Sequence, residues 1–243
     1  MSSVAAIAVA PSVGFWIYRH GWTPLCVVGA ALNLLMACIA WSLPEARRSQ
    51  SPPRRSSILE WRVLVVSFCL FLYSFGYGGI TSFTAMYADA NGVRPKGLYL
   101  TALAVVILFT RPLSGRLGDR LGYRRVFIPC LALISIGLAC LAMGGTRGWM
   151  IASAVIFGVG FGTAYPVYVG YVMRDVHAER RGAAFGAILA AFDTGIGTGS
   201  TTMGWLIQEA GFRTAFGTAA ALSALALPYF LIADRLMKNT RSP

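Results

Sequence analysis

The feature that most constrains the fold is a series of long segments that carry almost no charge. Five are uncharged and mostly apolar, at about 23–43, 63–88, 126–146, 148–173 and 214–233. Each is long enough to cross a hydrocarbon core of about 30 Å as a helix. Two more, 97–115 and 182–208, carry one charge each, Arg111 and Asp193, and a short eighth segment, 4–17, resembles the end of a span. The sequence therefore predicts an all-α integral membrane protein.

Composition agrees with this prediction. Hydrophobic residues make up 56% of the chain and charged residues 12%, and the mean hydropathy is +0.64, which lies outside the range of soluble domains. A net charge of +12 can indicate nucleic-acid binding, but the chain has no nucleic-acid-binding motif, and its basic residues lie between segments of membrane length. Nucleic acid is therefore not an expected partner.

The basic residues are unevenly distributed between the loops on the two sides of the membrane that such helices would cross. Sixteen of the 21 lie in 44–62, 111–125, 174–181 and the tail from Arg235, and the other five occupy the intervening loops: Arg19, Arg94, Lys96, Arg147 and Arg213. Cytoplasmic loops hold the excess of Lys and Arg. This pattern predicts a multi-pass protein of the cell inner (plasma) membrane with both termini in the cytoplasm.

One segment reads as a linker. "RRSQSPPRRSS", residues 47 to 57, is rich in Pro, Ser and Arg and suits neither lipid nor a packed core. It predicts a division into 1–46, a cytoplasmic linker at 47–60, and a six-helix block at 61–243. The five cysteines lie within spans without paired spacing, so we expect packing residues and no disulfide, metal site or cofactor.

An internal repeat relates the two ends of the chain. "GFWIYRHGWTPLCVVGAAL", from Gly14, aligns without gaps on "GWLIQEAGFRTAFGTAAAL", from Gly204, and the alignment matches Gly21 with Gly211. The offset is 190 residues, so Asp193 maps onto Ser3 and the counterparts of the spans between 61 and 181 would lie before Met1. The repeat therefore predicts that the first segment is the second half of a helix.

The stretch "GRLGDRLGYRR", residues 115 to 125, resembles the signature Gly-x-x-x-Asp-Arg-x-Gly-x-Arg-Arg of the major facilitator superfamily. The matching positions, with the neighbouring Arg116, are Gly115, Asp119, Arg120, Gly122, Arg124 and Arg125. "ERRGAAFGAILAAFDTGIGTG", residues 179 to 199, resembles the entry into helix eleven of the family's efflux members. The resemblance implies helices five to twelve of twelve. These are a complete C-terminal six-helix half, 61–243, and about two helices of the N-terminal half, 1–46, with helices one to four before the chain start.

Helix five of the efflux permeases carries Gly-x-x-x-Gly-Pro-x-x-Gly-Gly. Pro11 and Gly14 match that motif, whereas Ala6, Ala10 and Phe15 stand where it has glycine.

Glycines in the 115–125 stretch would let two helix ends approach closely. Asp119 is placed to accept hydrogen bonds from the arginines or from a neighbouring helix N-terminus. This predicts a cytoplasmic gate that holds one conformation and releases in another. The alternative is that the arginines only anchor the loop to anionic lipid.

A second candidate site lies within the spans. Asp193 is about eleven residues into its segment, near the bilayer midplane, where a carboxylate is costly and usually faces a cavity or a partner. Aromatic residues offer stacking faces and hydroxyls to a solute, which gives the candidate substrate or proton site Asp193, Tyr73, Tyr77, Phe83, Tyr165 and Tyr168. The alternatives are packing for Asp193 and interfacial anchoring for the tyrosines. We assign Arg111, followed by Pro112, to the interface.

The resemblance implies secondary active transport of a small organic solute, as proton-coupled efflux by alternating access. The expected partners are the solute, protons and the lipid bilayer, with self-association or a missing N-terminal half as a further expectation. The alternative is a truncated, non-transporting fragment or a membrane interaction subunit. We do not expect an enzyme, because His20 and His177 lie outside the spans and no pair of nucleophile and base is evident.

Overall fold

The computed structural model of the chain describes residues 13, 17, 19–42, 61–174, 176 and 180–239. These residues contain no strand, and those from Trp22 onward form six helices, which we number α1 Trp22–Ser42, α2 Trp61–Ala90, α3 Leu98–Leu121, α4 Tyr123–Met143, α5 Arg147–Arg174 and α6 Arg181–Asn239. The predicted all-α fold class is confirmed. Pro11 and Gly14 lie outside the described residues, as does most of the predicted segment 4–17.

The chain divides into two compact units, Met1–Arg55 and Ser56–Pro243. The first contains α1 and the second contains α2 to α6. The predicted linker, 47–60, lies outside the described residues, so its conformation stays a prediction.

The longest helix, α6, is broken near its middle. Gly211 has φ 80° and ψ 170°, a conformation that glycine adopts far more readily than other residues because it has no Cβ. We call the two arms α6a, 181–210, and α6b, 212–239. They correspond to the two predicted spans 182–208 and 214–233. Gly21, which the repeat matches to Gly211, also has a positive φ of 112° and directly precedes α1.

Five helical stretches of the described residues are long and apolar enough to cross a membrane: Trp22–Ile39, Leu98–Leu121, Tyr123–Met143, Arg147–Arg174 and Arg181–Arg235. The last spans 55 residues and allows two crossings because of the break at Gly211. The chain is therefore a multi-span membrane protein.

Close packing of α2 on α6a relies on small residues. A Cβ added at Gly199 would overlap the backbone oxygen of Phe75, and one at Gly78 would overlap the backbone oxygen of Ile196. The Ser74 hydroxyl donates a hydrogen bond to the Phe192 carbonyl across the same interface, at 2.9 Å. Small interfacial residues and such hydrogen bonds hold membrane helices together where lipid gives no hydrophobic driving force.

Helix α5 packs between α3 and α4, and the glycine-rich stretch 158–162 makes both contacts possible. On the α3 side, a Cβ at Gly162 would overlap the Thr110 hydroxyl. On the α4 side, a Cβ at Gly160 would lie 2.8 Å from the Cys130 carbonyl oxygen. The stretch therefore sets how near the C-terminal half of α3 comes to α5.

Candidate functional site

The turn between α3 and α4 holds the predicted gate motif. Gly122 has φ 90° and ψ 130°, and its N–H donates a 2.9 Å hydrogen bond to the Gly118 carbonyl, which ends α3. The Tyr123 ring then fits between two glycines, because a Cβ at Gly118 or at Gly170 would lie 2.6 Å from it. The close approach thus occurs at Gly118, whereas the space around Gly115 is open within 4 Å.

The Asp119 carboxylate is hydrogen-bonded to a tyrosine. Its Oδ1 accepts a 2.5 Å hydrogen bond from the Tyr123 hydroxyl. In the described part of the chain the ion pairs are Lys96–Asp89 and Arg124–Asp234, so none joins Asp119 to an arginine. Sequence reasoning missed Tyr123, although it stands inside the motif.

Arg124 reaches a carboxylate at the far end of the sequence. Its Nε lies 2.8 Å from Oδ2 of Asp234 in α6b, as an ion pair without the alignment of a hydrogen bond. The Tyr171 hydroxyl of α5 donates to the other oxygen of Asp234. Asp234 is 1% exposed, so this cluster joins α4, α5 and α6b inside the bundle. The only feature of the sequence that could have indicated this cluster is Asp234 itself, a charged residue directly after the apolar segment 214–233.

An open cleft of about 540 Å³ lies beside the turn. It is lined by Gly118, Asp119, Gly122, Tyr123, Gly170, Met173, Arg174 and Arg181. The ends of α3 and α5 and the starts of α4 and α6 therefore meet at one level. Residues of two basic segments that the sequence assigned to the same side therefore come together at this end of the bundle, namely 118–123 with Arg174 and Arg181.

A second group of residues lies deeper, between α2, α5 and α6a. Tyr77 stacks on Phe161 with ring centroids 4.2 Å apart, and Tyr165 contacts Phe192 at 5.0 Å. The aromatic cluster consists of Tyr73, Tyr77, Phe157, Phe161, Tyr165 and Phe192. Sequence reasoning missed its phenylalanines, although the spacing of 157, 161 and 165 places them on one face of a helix.

Three polar residues share the depth of this cluster. Arg111 is ten residues before the end of α3, Tyr165 nine before the end of α5, and Asp193 twelve after the start of α6. With a rise of about 1.5 Å per residue, they lie about 15 Å, 14 Å and 18 Å from the cleft end. Arg111 and Asp193 are both close enough to the Tyr165 hydroxyl to interact with it electrostatically.

The predicted end of the span 97–115 was wrong, whereas the assignment of Arg111 to the interface stays a prediction. Helix α3 does not end near residue 115 but continues through Pro112 to Leu121, so Arg111 is near the middle of the helix. It is half-buried and also interacts electrostatically with Tyr77. The error arose because Pro112 and the following charges resemble a helix end in sequence.

Tyr168, Phe83 and Tyr73, which the sequence also assigned to this site, occupy different environments. Tyr168 is fully buried, and its hydroxyl shares a 3.0 Å hydrogen bond with that of Ser67. Phe83 lies further along α2, where its ring faces Gly204 of α6a. The Tyr73 hydroxyl is buried and has no hydrogen-bond partner among the described residues. The structure therefore groups Tyr73, Tyr77, Tyr165 and Asp193, and leaves Phe83 and Tyr168 outside the group.

Residues 66–242 match the profile of the Major Facilitator Superfamily. The protein named Uncharacterized MFS-type transporter YhhS from Salmonella enteritidis PT4 is 28% identical over 241 residues, which is 98% of this chain and 58% of the relative. Its counterpart from Escherichia coli K12 is 27% identical over 238 residues, 96% of this chain and 57% of the relative. This chain thus spans less than three-fifths of the length of these curated relatives. Because the profile covers most of the chain, the protein belongs to the Major Facilitator Superfamily.

Proposed function

We propose that this protein acts in secondary active transport of a small organic solute across the inner membrane, by proton-coupled efflux. The observation that carries the proposal is the group formed by Asp193, Tyr165 and the aromatic cluster at mid-membrane depth. A carboxylate there is costly unless it serves a partner or a cavity. Membership of the family, and relatives named as transporters, support membrane transport.

Asp193 is the proposed proton carrier. Its side chain is exposed on the surface of the helical bundle, so at this depth it faces either lipid or a water-filled cavity. A charged carboxylate is far more stable in a water-filled cavity than in lipid. A site near the bilayer midplane suits alternating access, in which it opens to one side at a time. Protonation and deprotonation of Asp193 on opposite sides would then couple the solute to the proton gradient.

The turn at Asp119 is the proposed gate, at the cytoplasmic end of the bundle. Two basic segments meet there, as expected of a cytoplasmic face. The cleft lined by Asp119, Arg174 and Arg181 gives this end a surface on which another segment of a transporter could close. This orientation, with both chain termini in the cytoplasm, belongs to the proposal.

Reconstitution tests the proposal. The 243-residue chain is placed in liposomes that carry an imposed proton gradient and an internal pH dye, and proton flux is recorded as small organic solutes are added. We expect solute-dependent proton flux that Asp193→Asn abolishes and the exposed control Glu209→Gln leaves intact. Solute flux without proton movement would contradict the coupling.

The alternative is a membrane interaction subunit that transports nothing by itself. Absence of flux from the chain alone, with flux restored when a second polypeptide completes the assembly, would favour this alternative.

A further inference from the structure

Two opposite charges lie near one hydroxyl in the middle of the bundle. Arg111 of α3 and Asp193 of α6a both interact electrostatically with Tyr165 of α5. The tight contact of Gly162 with Thr110, the residue next to Arg111, brings this part of α3 against α5. Phe192, the residue next to Asp193, contacts Tyr165, and this contact brings α6a against α5. The three residues thus approach one site from three helices.

Neither charge is neutralised by the other residues that the structure describes. The ion pairs among them involve Lys96 with Asp89 and Arg124 with Asp234. Charges at this depth are stable only with a partner or with water. Because the two charges sum to zero, a ligand with a single charge would satisfy one of them and leave the other without a partner.

The surroundings of the two charges are aromatic. Tyr77 and Phe161 present stacked rings, and Phe192 lies beside Tyr165. The buried Tyr73 hydroxyl, without a hydrogen-bond partner in the described part of the chain, is also within electrostatic range of Tyr165. Such a wall suits an apolar or aromatic group, and the hydroxyl can bond a polar atom of the ligand.

We propose that this site binds a small zwitterion with an apolar or aromatic part, whose carboxylate contacts Arg111 and whose cationic group contacts Asp193. The inference rests on the proposed transport function, since it names the substrate class of the same site. An arginine suits a carboxylate because its planar fork can donate two parallel hydrogen bonds. The cationic group and a proton would compete for Asp193, so binding of one displaces the other.

Three probes of similar shape test the charge requirement. L-Phenylalanine carries both charges, phenylacetate lacks the ammonium group and phenethylamine lacks the carboxylate. Binding of each radiolabelled probe to the purified 243-residue chain in lipid nanodiscs is measured by scintillation proximity. Loss of one charge-assisted hydrogen bond should weaken binding about tenfold, so we expect phenylalanine to bind about tenfold more tightly than either analogue.

Variants assign each charge to its partner. In Arg111→Gln, phenylalanine and phenylacetate should weaken about tenfold while phenethylamine is unchanged, and Arg111→Lys should recover part of the loss. In Asp193→Asn, phenylalanine and phenethylamine should weaken while phenylacetate is unchanged. The exposed Arg147→Gln is the control and should bind all three probes like the parent chain.

The outcomes separate this inference from the proposed function. Binding of either singly charged probe as tightly as phenylalanine, equal weakening of all three probes in both variants, or no binding of any probe would overturn the inference. Binding in the expected pattern without solute flux in liposomes would contradict the proposed transport and leave the inference standing. Flux of uncharged solutes without phenylalanine binding would contradict the zwitterion site and leave the proposed transport standing.

Discussion

Arg124 and Asp234 are 110 positions apart in the sequence, and Nε of the first lies 2.8 Å from Oδ2 of the second. The arginine follows the turn after α3, and the aspartate belongs to the last turns of the bundle. The arginine that looked like part of a mobile gate therefore also ties the start of α4 to α6b. The Arg124 side chain is 40% exposed while that of Asp234 is 2% exposed, so the buried carboxylate depends on this partner.

This contact predicts that Asp234→Asn lowers the free energy of unfolding by about 1–3 kcal/mol, because the buried carboxylate that pairs with Arg124 is lost. Unfolding in increasing SDS, followed by circular dichroism, measures the loss. The exposed pair Lys96–Asp89, at 3.0 Å, provides the control, and Lys96→Gln should change stability by less than about 0.5 kcal/mol. Equal effects at the two pairs would contradict the prediction.

Two glycines at the turn should respond oppositely to alanine. Gly118→Ala places a Cβ against the Tyr123 ring, and such overpacking costs about 1–3 kcal/mol. Gly115→Ala meets open space in α3 and should stabilise the helix by about 0.5–1 kcal/mol, since alanine loses less backbone entropy. Thermal unfolding in detergent compares the two variants, and a loss at Gly115 would show that its surroundings are not open.

Alanine substitutions at two glycines of α6a, Gly199 and Gly197, test the crossing of α2 and α6a in the same way. Gly199→Ala would force its Cβ into the backbone oxygen of Phe75, which cannot move as a side chain can, whereas Gly197 has open space around it. We expect Gly199→Ala to lower the melting temperature clearly and Gly197→Ala to raise it slightly, for the same reason as at Gly115. Similar melting temperatures for both would contradict the described helix crossing.

The gate proposal predicts that Asp119→Asn impairs transport without preventing membrane insertion, because the charge is lost while the shape is kept. Tyr123→Phe removes only the hydrogen bond to Asp119, and we expect each variant to lower flux about tenfold, as for loss of one charge-assisted hydrogen bond. Proton-driven flux in liposomes is the measurement, and membrane content by immunoblot is the control. Parent-like flux of Asp119→Asn would leave the turn as an anchor alone.

The proposed orientation predicts that position 120 faces the cytoplasm and position 147 the outside. Arg120→Cys and Arg147→Cys, each in a background without the native cysteines, are treated with an impermeant thiol reagent on intact cells. Only the second should react, because the excess of basic residues marks the cytoplasmic side. Reaction of Arg120→Cys alone would invert the orientation.

Much of the fold follows from local pattern. Uncharged runs of membrane length can satisfy their backbone groups in lipid only as helices, so the helices were predictable, and so was a break between 208 and 214, which the structure places at Gly211. The same reasoning failed where a local signal was ambiguous. Pro112 and the following arginines indicated a helix end, but packing on α5 continues the helix to Leu121.

The composition of the candidate site depended on tertiary structure. The sequence singled out Asp193, Tyr73, Tyr77 and Tyr165 one at a time, because carboxylates and tyrosines within lipid-length segments are informative by themselves. Their grouping with Arg111 and Phe192 depends on contacts between helices, among them the close approach of Gly162 to Thr110 and the ring contact of Tyr165 with Phe192. Tyr168 lies outside the group because it is buried and its hydroxyl shares a hydrogen bond with that of Ser67. Periodicity and composition determine which segments are helices, but the sides on which helices meet depend on contacts between residues distant in sequence, which no local pattern records.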